Sequence, residues 1–301
     1  MSIITTVEAV PSRLFAIYAT LFDSENGEPK DRIESWATPL SLSKSGSDEG
    51  GGPTTKLFVN SLLEARKLGL VEEADGKLRL TADARGNGKK GQSSEVFFRN
   101  YLNHTLFDPS RANDAQQAGF MLALAWFLSA NPLTPMSFSE DPSFAIKAEI
   151  GENARKTECT TLLNYQSFLY WARYLGFATI VGSSNSRRAI PDPARAIDAV
   201  LPVVFGGDVE LPIQQFLSRL AAVYPVFETG SVRQSYDAMR PISPTDAAYR
   251  LSIATSIALQ RLSDRQRIVL NSVADAPARV LVFGARESRV SHIATRGSLD
   301  A

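Results

Sequence analysis

The sequence predicts a mainly α-helical protein with small β-hairpins, and three observations predict it. Apolar residues recur at helical spacing through most of the 301 residues. A phrase made of an apolar helix, a stop and a hairpin occurs twice and returns a third time in altered form. The stops themselves are chemically apt: Gly69 can take the left-handed conformation that ends a helix, and Asp75-Gly76 suits a tight hairpin turn. Together these features describe tandem winged helix-turn-helix units, each with three helices and a small wing.

The first copy of the phrase runs from Thr54 to Arg85. Leu62, Ala65 and Leu68 form its stripe, and Leu70–Ala74 and Lys77–Thr81 are the expected strands. About a hundred residues later Gln166–Phe177 reads QSFLYWARYLGF, placing Leu169, Ala172, Arg173, Leu175 and Gly176 where Leu62, Ala65, Arg66, Leu68 and Gly69 stood. Strands at Thr179–Val181 and Arg188–Ile190 follow, joined by a turn at Gly182–Ser186, and Ala194-Arg195 echoes Ala84-Arg85. In the third copy, Leu251–Ile268, Leu259 and Leu262 are the stripe and Gln266 replaces the helix-ending glycine. Its ribbon is expected between Ile268–Val273 and Arg279–Phe283.

Three units follow in order. The first, residues 1–92, opens with a helix over Ser12–Phe22, where Leu14, Ile17, Tyr18 and Leu21 make a wide stripe. A short second helix covers Pro29–Ala37, and the polar, glycine-rich Ser41–Pro53 reads as a mobile loop before the third helix. Gly50–Gly52 precedes a helix start, a place where glycines can cradle phosphate, but the P-loop order of glycine, lysine and hydroxyl is absent. The basic linker Gly86–Gln92, with Lys89 and Lys90, marks the boundary.

The second unit, residues 93–200, begins with helices over Ser94–Leu106 and Asp114–Leu128, the latter almost wholly apolar. The third, residues 201–301, has helices at Ile213–Val223 and Ala247–Leu262, with Asp246 as a cap and Pro241–Pro244 as a rigid connector. From Gly284 onward the chain turns polar and arginine-bearing, and is expected to fray.

Composition bounds the function. An apolar fraction of 44% suits ordinary cores, and the longest apolar run, Ala118–Leu128, is too short to cross a bilayer. The single Cys159 excludes an intramolecular disulfide and fits a reducing compartment, with cytoplasm the default. Net charge is zero, which argues against bulk electrostatic attraction to nucleic acid. Its distribution is uneven, however: from Arg233 onward there are 10 basic residues, all arginine, against 6 acidic ones.

Catalytic chemistry finds no foothold. His104 and His292 have no ligand or triad partner at useful spacing, and Cys159 has no partner base. The expectation is a chain with no enzyme activity, metal or cofactor. In a winged helix the start of the recognition helix meets bases while the wing meets phosphates. That singles out Lys56 in the first unit and Arg187 and Arg188 at the second wing tip, which would serve equally well as a soluble edge. In the third unit it singles out Thr255 and Gln260, backed by Arg261, Arg265 and Arg267. Weak double-stranded DNA contact, mainly through the third unit, is the leading expectation. The alternative is that the winged units serve only protein partners, for which near-neutral charge is the better match.

The order of these parts resembles the DpdG family. The residues that carry it are Val10-Pro11-Ser12, LLEARKLGLV from Leu62, LNYQSFLYWARYLGF from Leu163 with IPDPARAI from Ile190, and LSIATSIALQRLSDRQRI from Leu251. That family belongs to bacterial gene clusters that place 7-deazaguanine bases in DNA and restrict DNA lacking them. The resemblance implies a cytoplasmic, non-catalytic part of an antiviral DNA modification and restriction system, acting as an adaptor beside nucleases and helicase-like partners.

Overall fold

A computed structural model of the chain describes residues 2–37, 55–86, 93–114, 116–241 and 249–296. The chain divides into two compact units, Met1–Gln117 and Ala118–Ala301. The expected loop at 41–53 with its glycine run, the basic linker at 87–92, the connector residues 242–244 and the Asp246 cap lie outside the described residues.

In the first compact unit, α1 (Pro11–Phe22), β1 (Glu28–Pro29), α2 (Lys30–Ala37), α3 (Thr55–Lys67), β2 (Val71–Ala74) and β3 (Lys77–Leu80) follow in order. Asp75 and Gly76 both take positive φ, 54° and 71°, as a two-residue hairpin turn demands. β3 lies between β2 and β1, antiparallel to both, so the short strand before α2 completes the sheet. Leu14, Ile17 and Leu21 of α1 are buried together with Phe58, Leu62 and Ala65 of α3 and Leu78 and Leu80 of β3.

Three further helices end this unit: α4 (Ala82–Arg85), α5 (Ser94–Phe107) and α6 (Pro109–Asp114). α5, which the sequence reading grouped with the second unit, packs on α1, with the Phe98 ring 5.0 Å from Tyr18 and 5.5 Å from Phe15. Arg85 donates to the carbonyls of Leu21, Phe22 and Ser24 at 2.9–3.1 Å, satisfying the open end of α1.

Tyr18 is fully buried and donates its hydroxyl to the Ala84 carbonyl at 2.9 Å. Burial pushes its pKa up to about 12. A raised pKa means that the folded state holds this proton more tightly than the unfolded chain does. The stabilisation is therefore complete below pH ~10 and lost as pH rises from ~10 toward ~12. Alkaline unfolding of this unit, followed by tyrosinate absorbance, is expected to begin in that window. Tyr18→Phe is expected to lower stability at neutral pH and flatten the alkaline dependence.

The second compact unit holds the same order once unaltered and once with an added helix and hairpin. First come α7 (Ala118–Ser129), β4 (Met136–Ser137), α8 (Ser143–Ile150), a 3₁₀ turn over Gly151–Thr157, α9 (Leu162–Leu175), β5 (Ala178–Val181) and β6 (Arg188–Pro191). Then come α10 (Ala194–Phe205), β7 (Glu210–Pro212), α11 (Ile213–Val223), α12 (Ser231–Asp237) and α13 (Ile253–Asp264). β8 (Ile268–Asn271), β9 (Arg279–Phe283), β10 (Arg286–Val290) and β11 (His292–Thr295) finish it. The small sheets run β4-β6-β5 and β7-β11-β8, again with the first and last strands adjacent.

All three repeats close their last long helix with one hydrogen-bond pattern. Gly69, Gly176 and Gln266 sit at φ 70°, 90° and 59°. Their amides donate to Arg66, Arg173 and Ser263, and the next amides, of Leu70, Phe177 and Arg267, reach the carbonyls of Ala65, Ala172 and Leu262. These are the bonds of a left-handed helix cap. In each repeat the residue after the last strand, Thr81, Asp192 or Arg296, then donates back to Leu70, Phe177 or Arg267.

Three expectations need correction. β8 does not pair with β9: it pairs with β11, and β9 forms its own hairpin with β10 around Gly284 at φ 79°. The segment after Gly284 forms two strands because Val290 and Ile293 are buried, one apolar anchor for each polar strand. Of the expected helix over Ala247–Leu262, residues 247 and 248 lie outside the described residues and 249–252 are not helical; α13 starts at Ile253, where the Ser252 hydroxyl accepts from the Thr255 amide at 3.3 Å and caps it.

Candidate nucleic-acid interface

A helix that reads a groove needs an open face, and the three repeats differ sharply here. In the third, α13 is enclosed. Thr255 and Ser256 are 1% and 0% exposed, and Ser256 Oγ accepts from the Val282 amide of β9 at 2.9 Å. Tyr249 and Leu251 hydrogen-bond to Val280 on the same strand, and Arg250 pairs with Glu287 of β10. The inserted β9–β10 hairpin therefore covers the helix start, and Thr255 does not reach the surface.

The third repeat's cations are also engaged. Arg261 donates to Asp192 at 2.5 Å, where Thr179 also donates at 2.8 Å, and Arg267 donates to Asp198 of α10 at 2.7 Å. Gln260 donates to Asp264 on its own helix at 2.8 Å. Arg261 and Arg267 thus tie the end of α13 to the chain entering α10 and to α10 itself. Arg265, at the end of α13, is exposed and makes no side-chain bond to another described residue. The arginine surplus read from composition is spent largely on internal pairing.

In the first repeat, Lys56 is exposed on the first turn of α3, with its ammonium 3.9 Å from Glu8. The β2–β3 hairpin carries its own acids: Glu72 pairs with Arg79 at 2.7 Å and Glu73 pairs with Arg66 of α3. Such a hairpin presents little net positive charge to a phosphate backbone.

The second repeat is different. Its hairpin, residues 178–191, contains Arg187 and Arg188 and no acidic residue. Arg188 is exposed on β6. Arg187 lies over the Phe138 ring, 4.0 Å from its centroid, with Nε donating to the Ser184 carbonyl at 3.2 Å, so the guanidinium is oriented before any ligand arrives. Arg173 is exposed in the last turn of α9. The polar groups at the helix start are occupied: Thr161 caps the Asn164 amide, the Asn164 side chain donates to the Glu158 carbonyl, and Gln166 donates to Phe138.

Sequence reasoning missed the apolar exposure in this repeat. Phe144 of α8 is 84% exposed, and Leu163 and Tyr170 of α9 are 62% and 38% exposed. The signal was present in α9, whose apolar residues exceed what the stripe through Leu169, Ala172 and Leu175 requires. Cys159 is fully buried, and burial pushes its thiol pKa upward, away from thiolate chemistry. Among the described residues no cluster of three or more metal-ligating side chains occurs, and no helix is long and apolar enough to cross a membrane.

The fold and these surfaces define a mainly helical protein of three like repeats with small antiparallel sheets, in which an acid-free cationic hairpin belongs to the second repeat. The chain belongs to the DpdG-like family, whose match spans residues 1–276. Membership points to a role in a DNA modification system. No curated protein and no solved structure matches the chain.

Proposed function

We propose that this protein is a non-enzymatic DNA-binding adaptor of a cytoplasmic DNA modification and restriction system, and that its second repeat faces the DNA. The helix–strand–helix–helix–strand–strand order of the first two repeats, kept in the third around an added helix α12 and the β9–β10 hairpin, supports reading all three as winged helix-turn-helix units. The observation that carries the assignment is the wing at residues 178–191, with two arginines and no acid beside a helix that exposes Arg173. The third repeat, favoured by composition, is the weaker candidate because β9 and β10 cover its helix and Asp192 and Asp198 hold its arginines. Zero net charge fits weak binding that a partner subunit strengthens.

One observation favours a second reading, in which the same repeat docks a protein: the exposed Phe144, Leu163 and Tyr170. Anisotropy titration of labelled double-stranded DNA with Arg187→Ala/Arg188→Ala and Phe144→Ala/Leu163→Ala pairs separates the two. DNA affinity that falls only with the arginine pair supports the adaptor reading. Absence of DNA binding by wild type at low salt overturns it in favour of the protein-docking subunit.

A further inference from the structure

In the second compact unit a cleft of about 400 Å³ opens between one face of α11, the turn into α12 and β9. That volume lies within the range of small-molecule sites. Gln214 and Ser218 project from α11, Thr229 from the turn, Ser231 from the first position of α12 and Arg279 from β9. None of these five side chains makes a hydrogen bond or ion pair to another described residue. Among the described residues no acidic side chain lines the cleft, and half-buried Arg279 is the one charged group.

A half-buried guanidinium among three exposed hydroxyls and an exposed amide is a cationic, donor-bearing arrangement suited to an anion. A carboxylate has two oxygens, whereas a phosphomonoester offers three terminal oxygens and close to two negative charges, matching this donor surplus. The cleft exceeds the size of a phosphate alone, and Ala222 on its α11 wall leaves room for a flat attached group.

We propose that this cleft binds a phosphomonoester, carried by a nucleotide-sized molecule or by the 5′ end of a DNA strand, with Arg279 as its charge partner. The site lies apart in sequence from the wing assigned to duplex DNA and does not depend on that assignment.

The test is calorimetric titration of the full chain with inorganic phosphate, AMP and adenosine, together with short 5′-phosphorylated and 5′-hydroxyl strands. AMP is expected to bind with Kd below about 1 mM, and adenosine at least ~10-fold more weakly. Arg279→Ala is expected to weaken AMP at least ~10-fold, the usual cost of losing a charged hydrogen bond. Ala222→Trp, which fills the cleft, is expected to abolish binding, and both variants should fold because neither changed side chain holds a hydrogen-bond or ion-pair partner among the described residues. Arg187→Ala/Arg188→Ala should bind AMP as wild type does, so failure of the DNA assignment remains distinguishable. Competition by the 5′-phosphorylated strand alone identifies a strand end as the source, and its absence identifies a small molecule. No binding of AMP or phosphate at millimolar concentration, or binding unchanged by both variants, overturns the proposal.

Discussion

Replacing Gly176 by alanine is expected to cost about 3 kcal/mol or more, whereas alanine at Gly69 should cost about 2 and glycine at Gln266 close to nothing. The three residues occupy one position in three repeats, at φ 90°, 70° and 59°. At Gly176 a Cβ would lie 2.9 Å from the Ala196 amide nitrogen and 3.1 Å from Arg195 Cβ, and the nearer obstacle is backbone. The helix end would have to move away from the start of α10, adding a steric term to the left-handed conformation itself. At Gly69 the obstacle is the Tyr101 hydroxyl at 3.0 Å, which now donates to Leu68, so the cost is the conformation plus one strained hydrogen bond. Gln266 already bears the conformational cost. Relief of that strain by Gln266→Gly is offset by the greater freedom glycine gives the unfolded chain. Urea midpoints for the three variants check the ranking, and equal losses at Gly69 and Gly176 would refute the steric part of this account.

The second large effect expected is on DNA. If Arg187 and Arg188 each neutralise one phosphate, replacing both by alanine removes two counterion-release events. The plot of log K against log salt should then become shallower by about 1.8. Affinity at low salt should fall at least ~10-fold, while a fluorescence melt drops only slightly: Arg188 is exposed, and Arg187 forfeits a ring contact worth about 0.5–1 kcal/mol. Arg261→Ala offers the contrast. Its guanidinium is bonded to Asp192, so the expected result is lost stability in residues 118–301 with the salt slope intact.

The repeats were legible in sequence because a helix that must end on a left-handed residue before a hairpin constrains residue type at several positions. The stripe at Leu62, Ala65 and Leu68, the stop at Gly69 and the Asp75-Gly76 turn satisfy that constraint together, and the second copy repeats most of it. Even Gln266, an unlikely stop by composition, was identifiable from its place in the phrase. The pairing of β8 was not legible. A strand with one buried residue has almost no hydrophobic pattern, so β11 reads as polar tail, and the nearest apolar run, Arg279–Phe283, looks like the natural partner. The candidate surface was legible only in part. Arg187 and Arg188 stand out in a hairpin without acids. Whether Arg261 and Arg267 are free depends on Asp192 and Asp198, which lie 69 residues away in sequence. Residue type announces a cation, but only tertiary structure says whether its charge is already spent.

The order β7-β11-β8 also sets a limit on trimming the protein. The family match ends at residue 276, a natural place to cut, yet the strand that joins β7 to β8 spans His292–Thr295. A chain ended at 276 would keep both outer strands and lose the one between them, leaving two unpaired edges on one small unit. Edges of that kind invite pairing with other molecules. The shortened protein is therefore expected to self-associate in concentration-dependent light scattering, while a chain ended at 296 stays monodisperse. For this repeat, the shortest stretch that folds cleanly is set by where its last strand returns, about twenty residues beyond the end of the family match.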